Sequence, residues 1–216
     1  MNILAIGAHP DDIELGCSAT LLRHKKQGNN VYLLILSKGE ASGDPKIREM
    51  ECRESAKLMC VDGIFFGDLE DTKIDDGVKT IITIEKIINE IKPDIIYTHS
   101  YKDTHQDHRN TSYATLSAGR RIKKIFMYES PTTLMDFSPH VFVDISDEFE
   151  KKRQIMRLFP SQSDKEWYAK DRAKMAPMAL EGLATYRGFQ SRVKVAEAFE
   201  VGKLVINKND NVTYNI

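Results

Sequence analysis

The sequence predicts an α/β protein: a Rossmann-like three-layer fold with a mostly parallel sheet and a site at the carboxyl ends of its strands. Three observations carry this expectation. Short continuous apolar runs such as "NILAIGA" and "VYLLILS" read as strands buried on both faces, as parallel strands are. Stretches of helical periodicity separate the runs, and such alternation implies right-handed crossovers with helices on both faces of the sheet. Histidines and carboxylates gather where two of the runs end, the edge at which open α/β sheets hold ligands.

Taken in order, "NILAIGA" is the first strand, and the helix after it places Leu15, Ala19, Leu21 and Leu22 near helical spacing before stopping at Gly28 and Asn29. "VYLLILS" is the second strand, the mixed stretch from Pro45 to Cys60 a helix, and "GIFFGD" a third strand ending on an acid. "VKTIITIEKIINEIK" is an amphipathic helix closed by Pro93, and "DIIYTHS" a strand whose exit carries a histidine. "KIFMYE" and "VFVDIS" are further strands, and Lys151 onward reads as helix through "RQIMRLF". The C-terminal third is less regular, with Trp167, Met175 and Met178 expected in the core or a subunit contact and "NKNDNVTYNI" as a peripheral tail. No repeat or low-complexity linker divides the chain, so one domain is expected over residues 1–216.

With 216 residues, 41% of them hydrophobic, the chain can build a core without disulfides. Its 31 basic and 32 acidic residues leave no net field to hold nucleic acid or an anionic membrane, and "RHKK", "GRRIKK" and "EKKR" read as solvated faces. The expected partner is therefore a small molecule. Cys17, Cys52 and Cys60 are odd in number and lack CxxC spacing, which points away from a disulfide framework or a cysteine zinc site and toward the cytoplasm. The apolar stretch Ile3 to Ala8 is too short and too soon charged for a secretory signal, and no run approaches the roughly 20 apolar residues of a membrane span. "GAHPDD" also lacks GxGxxG and puts negative charge where a dinucleotide's pyrophosphate would need donors.

The first polar cluster is His9, Asp11, Asp12 and Glu14; the second, "HSYKDTHQDH", holds His99, Asp103, His105, Asp107 and His108. Exits of different parallel strands share one sheet edge, so residues a hundred positions apart can converge on one ion. A catalytic zinc takes three nitrogen or oxygen ligands and keeps a position open, and the second carboxylate of an Asp pair can serve as general base. The plainer readings are a helix N-cap for Asp11 or Asp12 and surface or packed places for His99 and His105. Both clusters together favour a metal site and hydrolysis over a metal-dependent phosphoesterase, which would want more carboxylates, and over a non-catalytic sugar-binding protein, which would have lost part of the set.

These segments resemble the PIG-L/LmbE-like family of zinc-dependent N-acetylglucosamine deacetylases. "GAHPDDIE" is similar to the family's opening motif and "HQDH" to its His-x-Asp-His motif, while "IREMECRESAKLMCV", "YESP", "VDIS", "SQ" at Ser161 and Gln162, and "AEAF" follow in family order. The resemblance implies His9, Asp12 and His108 as ligands of Zn2+, Asp11 as general base, His105 as stabiliser of the oxyanion, and Arg48 as a substrate contact. It implies removal of the acetyl group from a small N-acetyl amino sugar or glycoconjugate, and assembly as a homo-oligomer, trimers and hexamers among them. Ile13 separates the Asp pair from Glu14, Cys60 stands where relatives commonly have glycine, and Val195 where some carry a pocket tyrosine. Asp107 stands open between orienting a histidine and facing solvent.

Overall fold

The computed structural model describes residues 1–163 and 175–206. Strands β1 (Asn2–Gly7), β2 (Asn30–Ser37), β3 (Gly63–Leu69), β4 (Ile95–His99), β5 (Lys124–Tyr128), β6 (Val141–Asp144) and β7 (Ala196–Leu204) form one sheet of order β3-β2-β1-β4-β5-β7-β6. Among them only β7 runs against its neighbours, β5 and β6. The helices are α1 (Asp12–Lys26), α2 (Pro45–Met59), α3 (Val78–Ile91), α4 (Gln106–Ala118), α5 (Phe149–Met156), the short α6 (Pro160–Ser163) and α7 (Met175–Ser191).

Alternation along β1 sorts the core. Ile3 and Ala5 meet Ile13, Cys17 and Leu21 of α1 and Cys52, Ala56 and Met59 of α2. Leu4, Ile6 and the following Ala8 meet Ile84, Ile87, Ile88 and Ile91 of α3 with Ala114 and Ala118 of α4. Both faces are covered, which is why the strand reads as an unbroken apolar run. The three-layer α/β fold with a mostly parallel sheet is thus the one observed.

The sequence reading misses β7, because Glu197 and Glu200 interrupt its apolar pattern; both are buried. Lys152 Nζ of α5 donates to Glu197 Oε1 at 2.5 Å and to the Leu15 carbonyl at 2.6 Å, while Glu197 accepts from Ala19 N–H, Thr20 N–H and Thr20 Oγ1. Ala19 N–H and Leu15 C=O, partners in a regular helix, each meet one member of this ion pair. Glu200 accepts from Lys102 Nζ, Ser100 Oγ and Ser138 N–H. Cys60 ends α2 in the left-handed conformation, φ 56°, which explains why glycine suits that position. Val195 is core, packed with Ala19, Ile145 and Ala184. Trp167 and the tail from 207 lie outside the described residues, and Met178, expected in the core or a subunit contact, is exposed and so not in the core.

One asymmetry of register shapes the site. β1 pairs with β2 as far as Gly7 and Ile35, but with β4 only as far as Ala5 and Tyr97. Beyond that the two strands separate. Side chains fill the gap: Tyr128 Oη donates to Ile6 C=O at 3.0 Å, and Ala8 N–H points at His99 Nε2, 3.1 Å away. This is the switch point of the sheet, with β2 and β3 on one side and β5 on the other.

Candidate metal and active site

The crevice between β1 and β4 brings both polar clusters together. On one wall, His9 to Asp11 turn from β1 into α1, and Asp11 adopts φ 90°, a conformation uncommon outside glycine and costing of order 1–3 kcal/mol. Asp11 occupies the N-cap position without a side-chain capping bond, and its carboxylate is 17% exposed. Asp12 folds back so that its Oδ2 accepts His9 N–H at 2.7 Å. On the other wall, β4 ends at His99 and a loop leads to His105, which does cap α4: its Nδ1 accepts Asp107 N–H at 3.2 Å. In the neutral ring that bond leaves the proton on Nε2, as a donor.

His9 and His108 flank Asp12 and each has a carboxylate behind it. His9 Nδ1 lies 3.4 Å from Asp12 Oδ2, and its Nε2 lies 2.9 Å from Asp71 Oδ1 and 3.0 Å from Asp107 Oδ2. His108 Nε2 lies 3.3 Å from Asp12 Oδ1, and its Nδ1 lies 3.2 Å from Asp103 Oδ2. Two ligand atoms on one tetrahedral zinc, at bond lengths of about 2.0–2.1 Å, stand about 3.3–3.4 Å apart, which is the separation of His108 Nε2 and Asp12 Oδ1. A carboxylate behind each imidazole is also how metal-binding histidines are oriented. Among the described residues, the groupings with ligand atoms within 4.8 Å of one another are His9–His105–His108, Asp12–His99–His108 and His9–Asp71–Asp107, so the expected trio spans two groupings that share His108.

The sequence of residues 4–119 matches the family described as GlcNAc-PI de-N-acetylase, PIG-L. The chain belongs to the PIG-L family. It is 36% identical over 155 residues to the uncharacterized deacetylase YaiS of Escherichia coli K12, covering 68% of this chain and 84% of that protein. It is 26% identical over 221 residues to the diacetylchitobiose deacetylase of Thermococcus kodakarensis, covering 91% and 81%. Among solved structures the conserved protein TT1542 of Thermus thermophilus superposes with a TM-score of 0.83 at 24% identity, covering 95% of this chain and 96% of that one.

In this PIG-L member the charges of the site constrain one another. Burial disfavours a charged His9, but Asp107, Asp12 and Asp71 outweigh it and hold the imidazole pKa well above its ordinary value. His108 is raised to about 9 against burial by Asp12 and Asp103. Asp12 is held well below the carboxylate range, His108 and His99 outweighing its burial. Burial and the neighbouring Asp12 push Asp11 up to about 7, with Arg48 opposing. His105 is lowered by burial and by His108, which keeps it a neutral Nε2–H donor. His99 is lowered to about 4, chiefly by burial.

Four carboxylates, Asp12, Asp71, Asp103 and Asp107, therefore enclose His9 and His108, and Asp107 Oδ1 is buried with no hydrogen-bond partner. Such a set calls for positive charge, and its imidazole nitrogens and carboxylate oxygens suit a divalent zinc ion.

Asp107 is thus an orienting residue and not a solvent-facing one; its Oδ2 also accepts Thr72 N–H at 2.8 Å. Asp103 is fastened by Ser130 Oγ at 2.7 Å, Thr132 Oγ1 at 3.0 Å and His105 N–H at 2.8 Å. Asp71 was not anticipated from the sequence; its signal was the acid-rich exit of β3, "GDLED". Arg48 is neither a surface ion pair nor open to the crevice: it is 3% exposed. Its guanidinium donates to Gly39 C=O, Ser42 Oγ and Pro10 C=O and lies 3.6 Å from Asp11. Glu51, beside it on α2, binds Ser161 N–H and Oγ.

Proposed function

We propose that this PIG-L protein is a zinc-dependent hydrolase that removes the acetyl group from an N-acetylglucosamine-type amino sugar or its conjugate, releasing acetate and a free amine. The observation that carries this reading is Asp12 set between two carboxylate-backed imidazoles at 3.4 and 3.3 Å, with Asp11 and His105 part-exposed beside them. The relative named diacetylchitobiose deacetylase supports the substrate class. The three cysteines are free, which supports a cytoplasmic setting, and among the described residues no helix is long and apolar enough to cross a membrane.

His9, Asp12 and His108 would hold the ion. Zinc bound there would supply a Lewis acid for the amide carbonyl and lower the pKa of a bound water to about 7. Asp11, held at φ 90° and steadied through Arg48 and the Pro10 carbonyl, takes the proton of the attacking water as its oxygen bonds to the acetyl carbon. His105 donates from Nε2–H to the developing oxyanion. As the C–N bond breaks, Asp11 returns the proton to the amine.

Acetate release from N-acetylglucosamine, its α- and β-glycosides, diacetylchitobiose and UDP-N-acetylglucosamine tests this, with Asp11→Asn as control. We expect release from at least one substrate, lost on chelation and in the control. Release that survives in Asp11→Asn would refute the role of Asp11, and an Asp11→Asn protein unable to bind zinc would refute its separation from the ligands.

A further inference from the structure

We infer that His99 is a positioning residue for the metal: its Nε2–H holds Asp12 Oδ2, so that Asp12 Oδ1 is left to face the ion beside His108 Nε2. This rests on the reading of His9, Asp12 and His108 as ligands. His99 is buried at the end of β4, with Nε2 3.1 Å from Asp12 Oδ2. Oδ2 also receives His9 N–H at 2.7 Å and has His9 Nδ1 at 3.4 Å, whereas the neighbour of Oδ1 is His108 Nε2 at 3.3 Å. The two oxygens are therefore not equivalent: Oδ2 is turned toward donors of the protein and Oδ1 toward the crevice.

The ring itself is locked. It stacks on His108 with centroids 4.1 Å apart and planes 13° apart, and Tyr128 covers it at 4.8 Å. One conflict decides its proton. Ala8 N–H also points at Nε2, at 3.1 Å, while Nδ1 is buried without a hydrogen-bond partner. A neutral imidazole carries one N–H and one lone pair. With the proton on Nδ1, that N–H is buried without an acceptor and the Nε2 lone pair faces a carboxylate oxygen. With the proton on Nε2, the ring makes a charge-assisted bond to Asp12, about twice as strong as the neutral bond surrendered at Ala8; Ala8 N–H is then the idle donor in place of Nδ1–H, so the bond to the carboxylate decides between the two forms. Stacking then carries the order from Asp12 to His108, so one buried side chain orients two ligands from opposite walls.

The test is zinc affinity by competition with a chromogenic chelator, on wild type, His99→Phe and His99→Gln, with folding checked by circular dichroism. Phe keeps a ring over His108 without a donor; Gln returns an N–H near the Nε2 position. The expected result is a 10- to 100-fold loss of affinity in His99→Phe, largely restored in His99→Gln. Unchanged affinity in His99→Phe, or equal loss in both, would overturn the hydrogen-bond role. Histidine 15N spectra of the zinc-loaded wild type read the tautomer without a mutation: His99 is expected as Nε2–H. An Nδ1–H tautomer would overturn the assignment, and so would a metal-bound His99 nitrogen, which makes it a ligand. Wild type that binds no zinc would instead remove the metal reading, and this inference with it.

Discussion

The ion pair between Lys152 and Glu197 allows a quantitative test of how the fold holds α1. The side chains are 2% and 4% exposed, and their contact is 2.5 Å. Removing one partner of a buried pair typically costs about 3–5 kcal/mol, because the other charge stays buried. The two halves should not cost the same. After Lys152→Met, Glu197 keeps three donors, Ala19 N–H, Thr20 N–H and Thr20 Oγ1, so the loss should fall near the low end, about 3 kcal/mol. After Glu197→Gln, the Lys152 ammonium keeps the Leu15 carbonyl and Thr20 faces an amide, so the loss should approach about 5 kcal/mol. Either is a large share of the roughly 5–15 kcal/mol expected for a natural domain. The double variant leaves no bare charge, and should cost at least about 2 kcal/mol less than the sum of the single ones. Urea unfolding of the four proteins closes the cycle. Additivity within about 0.5 kcal/mol, or a Lys152→Met protein weaker than Glu197→Gln, would refute the view that this pair is a buried mutual neutralisation.

Other expectations follow from single residues. His105→Ala should retain zinc while kcat falls by about 10²–10³, as for a lost oxyanion donor; a zinc-free variant would make His105 a ligand. Gly16→Ala would place a Cβ 2.2 Å from the Tyr128 ring, so about 3 kcal/mol of stability should be lost in thermal melts, with zinc affinity falling as Tyr128 shifts against His99; an unchanged Tm would contradict that packing. His24, at the far end of α1, is held at about 4 by burial, with Arg23 and the N-terminus adding to it. Because its folded pKa lies below the ordinary 6.5, its contribution is complete above pH 6.5 and lost as pH falls toward 4. Linkage gives about 2 kcal/mol between pH 7 and 5, and solvent screening of the half-buried ring reduces that to about 1 kcal/mol. His24→Gln should unfold with a shallower dependence on pH over that range, and an unaltered slope would show that the ring protonates freely.

The parts of the fold legible in the sequence were those whose burial is written in consecutive residues. β1, β2 and β4 are nearly all apolar and covered on both faces, so none of them needed a partner to be recognised. β7 was not legible because Glu197 and Glu200 are buried through Lys152 and Lys102, residues 45 and 98 positions away. The candidate site divides the same way. His9, Asp11, Asp12, His105 and His108 are visible as motif residues at strand exits, and the crevice gathers all five. Asp71 is hidden in an acid-rich turn, and it is His9 and the Ala41 N–H, residues distant along the chain, that hold it inside. Arg48 is a substrate contact by resemblance, and nothing in its own helix discloses that its guanidinium bridges Gly39, Ser42 and Pro10. In each of these cases the deciding information is a neighbour far along the chain.

The early parting of β1 from β4 also bears on how the protein comes together. Asp12 belongs to the first crossover of the chain and His108 to the fourth, so their 3.3 Å approach forms only after the β1–β4 ladder has registered across ninety residues of intervening chain. Contacts of such separation are costly in chain entropy and are made late. Metal capture is then a closing event in folding, a clasp fastened between two halves of the sheet. A bound ion at a hundred times its Kd would add about 2.7 kcal/mol to the folded state, concentrated at the seam where the backbone ladder gives out.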